Sequence, residues 1–247
     1  MQGIQRGLRI LEAVAAHQPV GVGELSRVCE LPKSSVQRVL RALADSGWIR
    51  AADEEQTRWT LTSRMLTLAG TAAGERGIRE AALGPMRELG ALTGETVTLQ
   101  VPDGPCRMVL IERVDCRHPV RTHNRLGATS PITATSTGLA VLALMPDEEV
   151  ERVLARPVPR LTANTLVEPH LIRARLREAR ARGFAVNRGQ NRDGVCAVGA
   201  AVTGPGGVPA GGIGLSLPDS RFDTRRVPWW AQQVRLTAAA VSAALTD

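Results

Sequence analysis

The chain has 247 residues, of which 43% are hydrophobic, and this length and composition predict two globular domains, each with its own core. The formal net charge of +7 favours a polyanionic partner. The four cysteines show no two-residue spacing, which argues against a zinc knuckle or a disulfide framework. No run approaches about 18 apolar residues and no cleavable amino-terminal segment is evident, so we expect a cytoplasmic protein with reduced thiols and no membrane association.

Residues 25–61 predict a helix-turn-helix followed by a wing. A short apolar-periodic helix ends near residue 30, and Pro32 suits the first turn of a second helix. The second helix has one apolar side and one side of hydrogen-bonding and cationic groups. After Gly47, residues 48–61 predict two strands joined by a turn at residues 53–56. A hairpin directly after a helix-turn-helix is a wing.

The second helix of this motif suits the major groove of DNA, because a helix with its side chains is about 10 Å wide. Arg38 and Arg41 are suited to guanine and Gln37 to adenine. The DNA-contacting residues that we predict are Lys33, Ser34, Ser35, Gln37, Arg38, Arg41, Arg50 and Arg58. The alternative is an amphipathic helix pair with a solvated basic side. The wing, the proline at the helix start and the absence of acidic residues between Lys33 and Arg41 favour double-stranded DNA.

The chain divides into three predicted segments. Residues 1–62 form the winged helix-turn-helix domain, residues 63–77 a helical linker interrupted at Gly74–Gly77, and residues 78–247 a second domain. Predicted helices of the second domain lie at 78–92, 138–144, 147–155, 169–182 and 229–245, and predicted strands at 96–101, 108–113, 184–187, 195–203 and 208–217. Strands interleaved with helices indicate an α+β domain with helices packed on a mostly antiparallel sheet.

The sequence gives no indication of an enzyme or a cofactor. His17, His118, His123 and His170 show no metal-ligand spacing, and no Gly-x-Ser-x-Gly elbow is present. The glycine-rich residues 204–207 lack the lysine of a phosphate loop and predict a hairpin turn. We therefore predict no catalytic residues, no metal site and no cofactor.

Five segments resemble the IclR family of bacterial transcriptional regulators, and the resemblance covers essentially the whole chain. They are Arg6–Leu11, Leu31–Arg38, Arg125–Gly127 followed by Pro131, Ala134–Gly138, and Arg180–Ala185. The resemblance implies a winged helix-turn-helix joined by a helical linker to a GAF-like effector-sensing domain. It also implies a homodimer or homotetramer that binds a DNA operator, with a small metabolite, often an organic acid or an aromatic compound, in the second domain. A symmetric dimer predicts an operator with an imperfect inverted repeat.

The family's effector pocket, carried over by alignment, would be lined by Leu126, Gly127, Ser136, Thr137, Asn187, Ala197, Gly214 and Ser216. Thr133 stands where a histidine is common in the family, and Leu139 where a lysine is common. With Leu126, Leu139 and Ala197 at the pocket, we predict a ligand that has one acidic or carbonyl end, held at the start of the helix, and a sizeable apolar body.

Two other interpretations of these positions stay open. The residues could be ordinary turns and core, in which Ser136 and Thr137 cap a helix and Gly214 permits close packing. The second domain could also serve only to assemble oligomers, without a ligand. In either case Cys196 is predicted to point away from Ala197, since strand side chains alternate between the two faces of a sheet.

Overall fold

The computed structural model describes residues 2–53, 57–72 and 77–246. Two compact units make up the chain, Met1–Glu75 and Arg76–Asp247. Residues 54–56 of the predicted wing turn and residues 74–76 of the predicted linker break lie outside the described residues. Among the helices in the described ranges, none is both long enough and apolar enough to cross a membrane.

Helices and a small sheet form the first unit. The helices are α1 (Gln2–His17), α2 (Val22–Cys29), α3 (Lys33–Asp45) and α4 (Arg64–Ala72), and the strands are β1 (Val20–Gly21), β2 (Ile49–Asp53) and β3 (Arg58–Leu61). The turn between α2 and α3 is tight because Glu30 takes a left-handed conformation, with φ of 53°, and its N–H donates to the Arg27 carbonyl. Ile10, Leu25 and Leu40 are fully buried where α1, α2 and α3 meet.

The wing is a three-stranded antiparallel sheet with the order β1-β3-β2. Val20 pairs with Trp59, and Ile49 pairs with Leu61. The Gln18 side-chain oxygen accepts from the Leu61 N–H at 2.8 Å, which ties the end of α1 to the wing. The sequence did not predict strand β1, because two residues are too few to show a periodic pattern.

The second unit is a six-stranded antiparallel sheet with the order β6-β5-β4-β9-β8-β7. Its strands are β4 (Thr96–Pro102), β5 (Arg107–Val114), β6 (Thr129–Pro131), β7 (Ala185–Arg188), β8 (Val195–Thr203) and β9 (Pro209–Pro218). Its helices are α5 (Ile78–Thr93), α6 (Ser136–Leu144), α7 (Asp147–Leu154), α8 (Pro169–Arg182) and α9 (Val227–Ala244). Helices α5 and α9 cover one face, and α6, α7 and α8 cover the other, which confirms the predicted α+β class.

Side-chain alternation decides what each face of this sheet carries. On β8, Val198 and Val202 point to the core shared with α5 and α9, where Trp230 is fully buried. Ala197 and Gly199 point to the other face. The apolar residues of β4 and β9 also point to the core shared with α5 and α9. The face beneath α6 therefore carries small and polar side chains.

Helix α6 begins directly on the sheet, on a platform of three glycines, Gly199, Gly212 and Gly214. A methyl group built at Gly199 would lie 2.7 Å from the backbone of Ser136 and Thr137. At Gly212 and Gly214 it would lie 3.0 Å from Thr137 side-chain atoms. This glycine platform lets the first turn of α6 approach the strands more closely than any other residue would allow.

The structure corrects two predicted boundaries and adds one strand. Helix α6 begins at Ser136, and its capping side chain is Thr135, whose hydroxyl accepts from the Gly138 N–H at 2.9 Å; Ser136 and Thr137 lie inside the helix instead of capping it. The last helix begins at Val227, two residues before the predicted start, because a proline in the first turn is compatible with a helix. The short strand β6 was not predicted.

Candidate functional sites

Helix α3 carries a polar surface. Gln37, Arg38 and Arg41 are exposed on it, whereas Val36 and Leu40 on the opposite side are fully buried. Within residues 2–53, 57–72 and 77–246, neither arginine forms an ion pair, so both guanidinium groups can meet a phosphate or a base edge. The structure therefore brings the central predicted DNA contacts together on one helix.

The start of α3 and the wing carry further predicted contacts. Lys33 and Ser34 are exposed in the first turn of α3, where backbone N–H groups lack intrahelical partners and attract phosphate. Ser35 is half-buried, and its N–H donates to the Pro32 carbonyl at 2.9 Å. Arg50 is exposed on β2, at the base of the wing.

Arg58, which the sequence predicts as a DNA contact, also has partners within the first unit. Its guanidinium donates twice to the Pro19 carbonyl, at 2.9 and 2.7 Å, and lies 3.6 Å from the Glu24 carboxylate. These contacts fasten β3 to Pro19, just before β1, and to Glu24 in α2. The prediction missed them because they join residues about 35 to 40 positions apart in the chain.

A polar cavity of about 50 Å³ lies in the second unit, at the start of α6. Five of the predicted effector residues line it: Ser136, Thr137, Asn187, Ala197 and Ser216. The sequence missed seven further lining residues, Thr98, Gln100, Asn124, Thr135, Asn191, Arg192 and Val195. For Thr98 and Gln100 a signal was available, because alternation places them on the side of β4 opposite the buried Val97 and Leu99.

Three of the predicted effector residues lie elsewhere. Leu126 and Gly127 are exposed, and Leu126 is 55% exposed as a residue. Gly214 belongs to the glycine platform and is covered by Thr137. Leu139 is buried in the core between α6 and α8, so of the three apolar residues predicted at the pocket only Ala197 lines this cavity.

Hydrogen bonds within the protein fix the side chains that line this polar cavity. The Asn187 amide donates to the Ala134 carbonyl, and its oxygen accepts from the Gln190 N–H at 3.2 Å. The Thr137 hydroxyl donates to the side-chain oxygen of Gln100. The wall of the cavity is therefore preorganised by its own polar groups.

The hydroxyls of Ser136 and Ser216 are different. Both residues are buried, with exposures of 2% and 7%, and both line the cavity. Among the described residues neither hydroxyl has a protein hydrogen-bond partner. Because both residues line the cavity and neither hydroxyl is engaged by the protein, these two hydroxyls are open to a molecule in the cavity.

A second, outer cavity of about 300 Å³ adjoins the first. The two share Gln100, Asn124, Asn191 and Arg192. The outer cavity adds apolar side chains, which are Leu110, Ala128, Pro131 and Leu161. The site thus has an inner polar chamber and an outer chamber with an apolar wall.

Cys196 lies on the side of β8 away from the inner chamber, as the alternation from Ala197 predicted. Its Sγ is 3.2 Å from the Asp219 carboxylate, to which the thiol donates. Burial, followed by the hydrogen bond to Asp219, raises the pKa of this thiol to about 12. A thiol with that pKa is neutral at physiological pH and is a poor nucleophile.

Comparison with protein families decides the identity of both units. Residues 3–53 match the IclR helix-turn-helix domain, and residues 70–243 match the C-terminal domain of bacterial IclR transcriptional regulators. The chain belongs to the IclR family. It is a DNA-binding transcriptional regulator with a winged helix-turn-helix and a C-terminal α+β domain, as the sequence predicted.

Curated relatives of this IclR-family chain are transcriptional regulators and not enzymes. The HTH-type transcriptional regulator KdgR of Escherichia coli K12 is 27% identical over 235 residues, covering 95% of this chain and 89% of the relative. The transcriptional repressor IclR of the same organism is 27% identical over 247 residues, covering 99% and 90%.

Solved IclR-family structures share the fold. The IclR of Thermotoga maritima superposes with a TM-score of 0.80 at 22% identity, covering the whole of both chains. An IclR homologue from Microbacterium hydrocarbonoxydans, crystallised with 4-hydroxybenzoate, gives a TM-score of 0.83 at 22% identity over 98% of each chain.

Proposed function

We propose that this regulator binds its operator through α3 and the wing, and that a small molecule in the two-chamber site modulates this binding. The observation that carries the effector proposal is the pair of buried serine hydroxyls, Ser136 and Ser216, which face the inner chamber without a protein partner. We assign residues 1–62 to DNA binding, 63–77 to a helical linker, and 78–247 to effector binding and oligomerisation. The protein acts in the cytoplasm, as a homodimer or homotetramer.

The chemistry of the two chambers favours an effector with one acidic or carbonyl end and an apolar body. The inner chamber offers the hydroxyls of Ser136 and Ser216 at the positive end of the α6 dipole, and this arrangement suits a carboxylate or a carbonyl oxygen. Arg192 lies at the boundary between the chambers and supplies a positive charge. The apolar body would contact Leu110 and Leu161 in the outer chamber, in place of the residues that the sequence had indicated. The Microbacterium homologue, which binds 4-hydroxybenzoate, is a precedent for such a ligand.

A specific observation favours the rival function, in which the second domain only assembles oligomers. The inner chamber is small, at about 50 Å³, whereas ligand sites for drug-sized molecules measure roughly 300 to 1,000 Å³. Asn187, Thr137 and Gln100 are also already bonded within the protein. Under this alternative the chamber holds only water.

Isothermal titration calorimetry of the full chain against acids from two carbons to substituted benzoates separates the two functions. An effector must also raise the unfolding midpoint, because it binds only the folded state. Ser136→Ala and Ser216→Ala should weaken effector binding about tenfold while leaving operator affinity unchanged. Leu126→Ala, which alters an exposed side chain outside both chambers, is the matched control and should bind normally. If no member of the panel binds, the oligomerisation function stands.

The DNA surface is tested by gel-shift titration on the native operator. Arg41→Ala should cost about 1 to 3 kcal/mol of specific binding if Arg41 reads a base, and Arg38→Ala should weaken binding as well. Arg87→Ala removes the same charge from an exposed position on α5 and is the control for non-specific electrostatics. Unchanged affinity in both α3 variants would refute the assignment of this surface.

A further inference from the structure

A separate cavity of about 240 Å³ opens at the edge of the six-stranded sheet. It lies between the edge strand β7, helix α8 and the segment that leads into α9. The chain contains only two phenylalanines, Phe184 and Phe222, and both line this cavity. A chain so poor in aromatic rings thus places both of its phenyl groups at one opening.

Arginines surround the same opening. Arg175 and Arg182 both pair with Glu178, at 2.9 and 2.6 Å, so two guanidinium groups share one carboxylate. Arg188 stacks over the Phe222 ring, with its guanidinium carbon 5.3 Å from the ring centre. In the part of the chain that the structure describes, no carboxylate lies within 4 Å of the Arg188 guanidinium nitrogens. Three cations therefore face one anion at the rim of the cavity.

We infer that this cavity binds a planar aromatic anion, such as an aromatic monocarboxylate, at a site distinct from the two-chamber site. Phenyl and guanidinium groups both stack on a planar ring, and guanidinium pairs with a carboxylate through two hydrogen bonds. The volume suits one or two fused rings. The inner chamber and this cavity share no lining residue, although α6 contributes to both: Ser136 lines the inner chamber and Leu139 lines this cavity.

The two phenylalanines also supply the assay. Full-length protein labelled with 4-fluorophenylalanine should give two fluorine resonances, both from the cavity. Titration with 2-naphthoate should shift both resonances saturably. Cyclohexanecarboxylate, which has the charge without the planar ring, and 2-naphthamide, which has the ring without the charge, should each bind at least about tenfold more weakly. Equal affinity for either comparison compound, or resonances that do not move, would overturn the inference.

Variants separate this site from the proposed effector site. Arg188→Gln removes an exposed rim cation and should weaken 2-naphthoate binding about tenfold. Phe222→Leu should weaken 2-naphthoate binding by a similar factor. Because this variant keeps only Phe184, it also assigns the remaining fluorine resonance to that residue. Two variants should leave the affinity for 2-naphthoate, read from the two fluorine resonances, unchanged. They are Arg177→Gln, which removes an exposed arginine of α8 outside the cavity, and Ser216→Ala, which lies in the inner chamber. If Ser216→Ala abolishes 2-naphthoate binding while Arg188→Gln does not, the ligand occupies the effector site and the inference fails.

Discussion

The substitution Gly199→Ala tests whether the glycine platform determines the shape of the inner chamber. Its methyl group would lie 2.7 Å from the Ser136 carbonyl carbon and the Thr137 nitrogen, and 2.9 Å from the Ser136 hydroxyl. Ordinary contacts with carbon are about 3.5 Å or longer, so the backbone of α6 must move by several tenths of an ångström or more. Overpacking of this kind costs about 1 to 3 kcal/mol.

The stability assay is thermal unfolding of the purified chain. For a protein of this size, 1 kcal/mol lowers the unfolding midpoint by about 2 to 4 °C, so Gly199→Ala should lower it by roughly 2 to 12 °C. Gly84→Ala on α5 is the control, because nothing lies within 4 Å of its new methyl group, and it should raise stability by about 0.5 to 1 kcal/mol, as alanine does in place of an exposed helical glycine. A Gly199→Ala protein as stable as the wild type, with unchanged effector binding, would refute the account of the platform.

Three further results are expected. At pH 8 a thiol reagent should modify the half-buried Cys106 before the buried Cys196, because a pKa of about 12 keeps the Cys196 thiol protonated in the folded chain. Mass spectrometry measures the two labelling rates, and equal rates would contradict this. The guanidinium of Arg221 lies 2.7 Å from the buried Glu95 carboxylate, so Arg221→Met leaves that carboxylate without its partner and should lower the free energy of unfolding by about 3 kcal/mol. Adding Glu95→Gln to this variant should recover part of the loss, as measured by denaturant titration. Light scattering at micromolar concentration should give the mass of a dimer or a tetramer, and a monomer with and without operator would refute symmetric operator binding.

Local patterns carried the successful predictions. The apolar spacing of α3 correctly separated buried Val36 and Leu40 from exposed Arg38 and Arg41, because a helix repeats every 3.6 residues whatever surrounds it. The family alignment placed Ala197 at the pocket, and strand alternation then correctly placed Cys196 on the opposite face of β8.

Contacts between residues distant in sequence account for what the sequence did not predict. The sequence did not predict that Arg58 donates to the Pro19 carbonyl, 39 positions away. Arg192 lies at the chamber boundary, where its guanidinium donates to the His123 carbonyl at 3.2 Å, 69 residues away in the chain. Leu126 seemed to belong to the pocket by alignment, yet its loop turns it to solvent. No periodic signal encodes such placements, since each depends on a partner from another part of the chain.

Lys33, exposed in the first turn of α3, is the only lysine in the chain, and every other strongly basic side chain is an arginine. Reagents that acylate or cross-link primary amines therefore have one side-chain target, and it lies on the helix that we assign to the operator. A fluorophore coupled there would report on DNA binding, and enzymatic acetylation of this one amine would remove a positive charge from that surface. Formaldehyde cross-linking of the protein to DNA through lysine would likewise depend on this single residue, so a Lys33→Arg protein should cross-link poorly even if its affinity is retained.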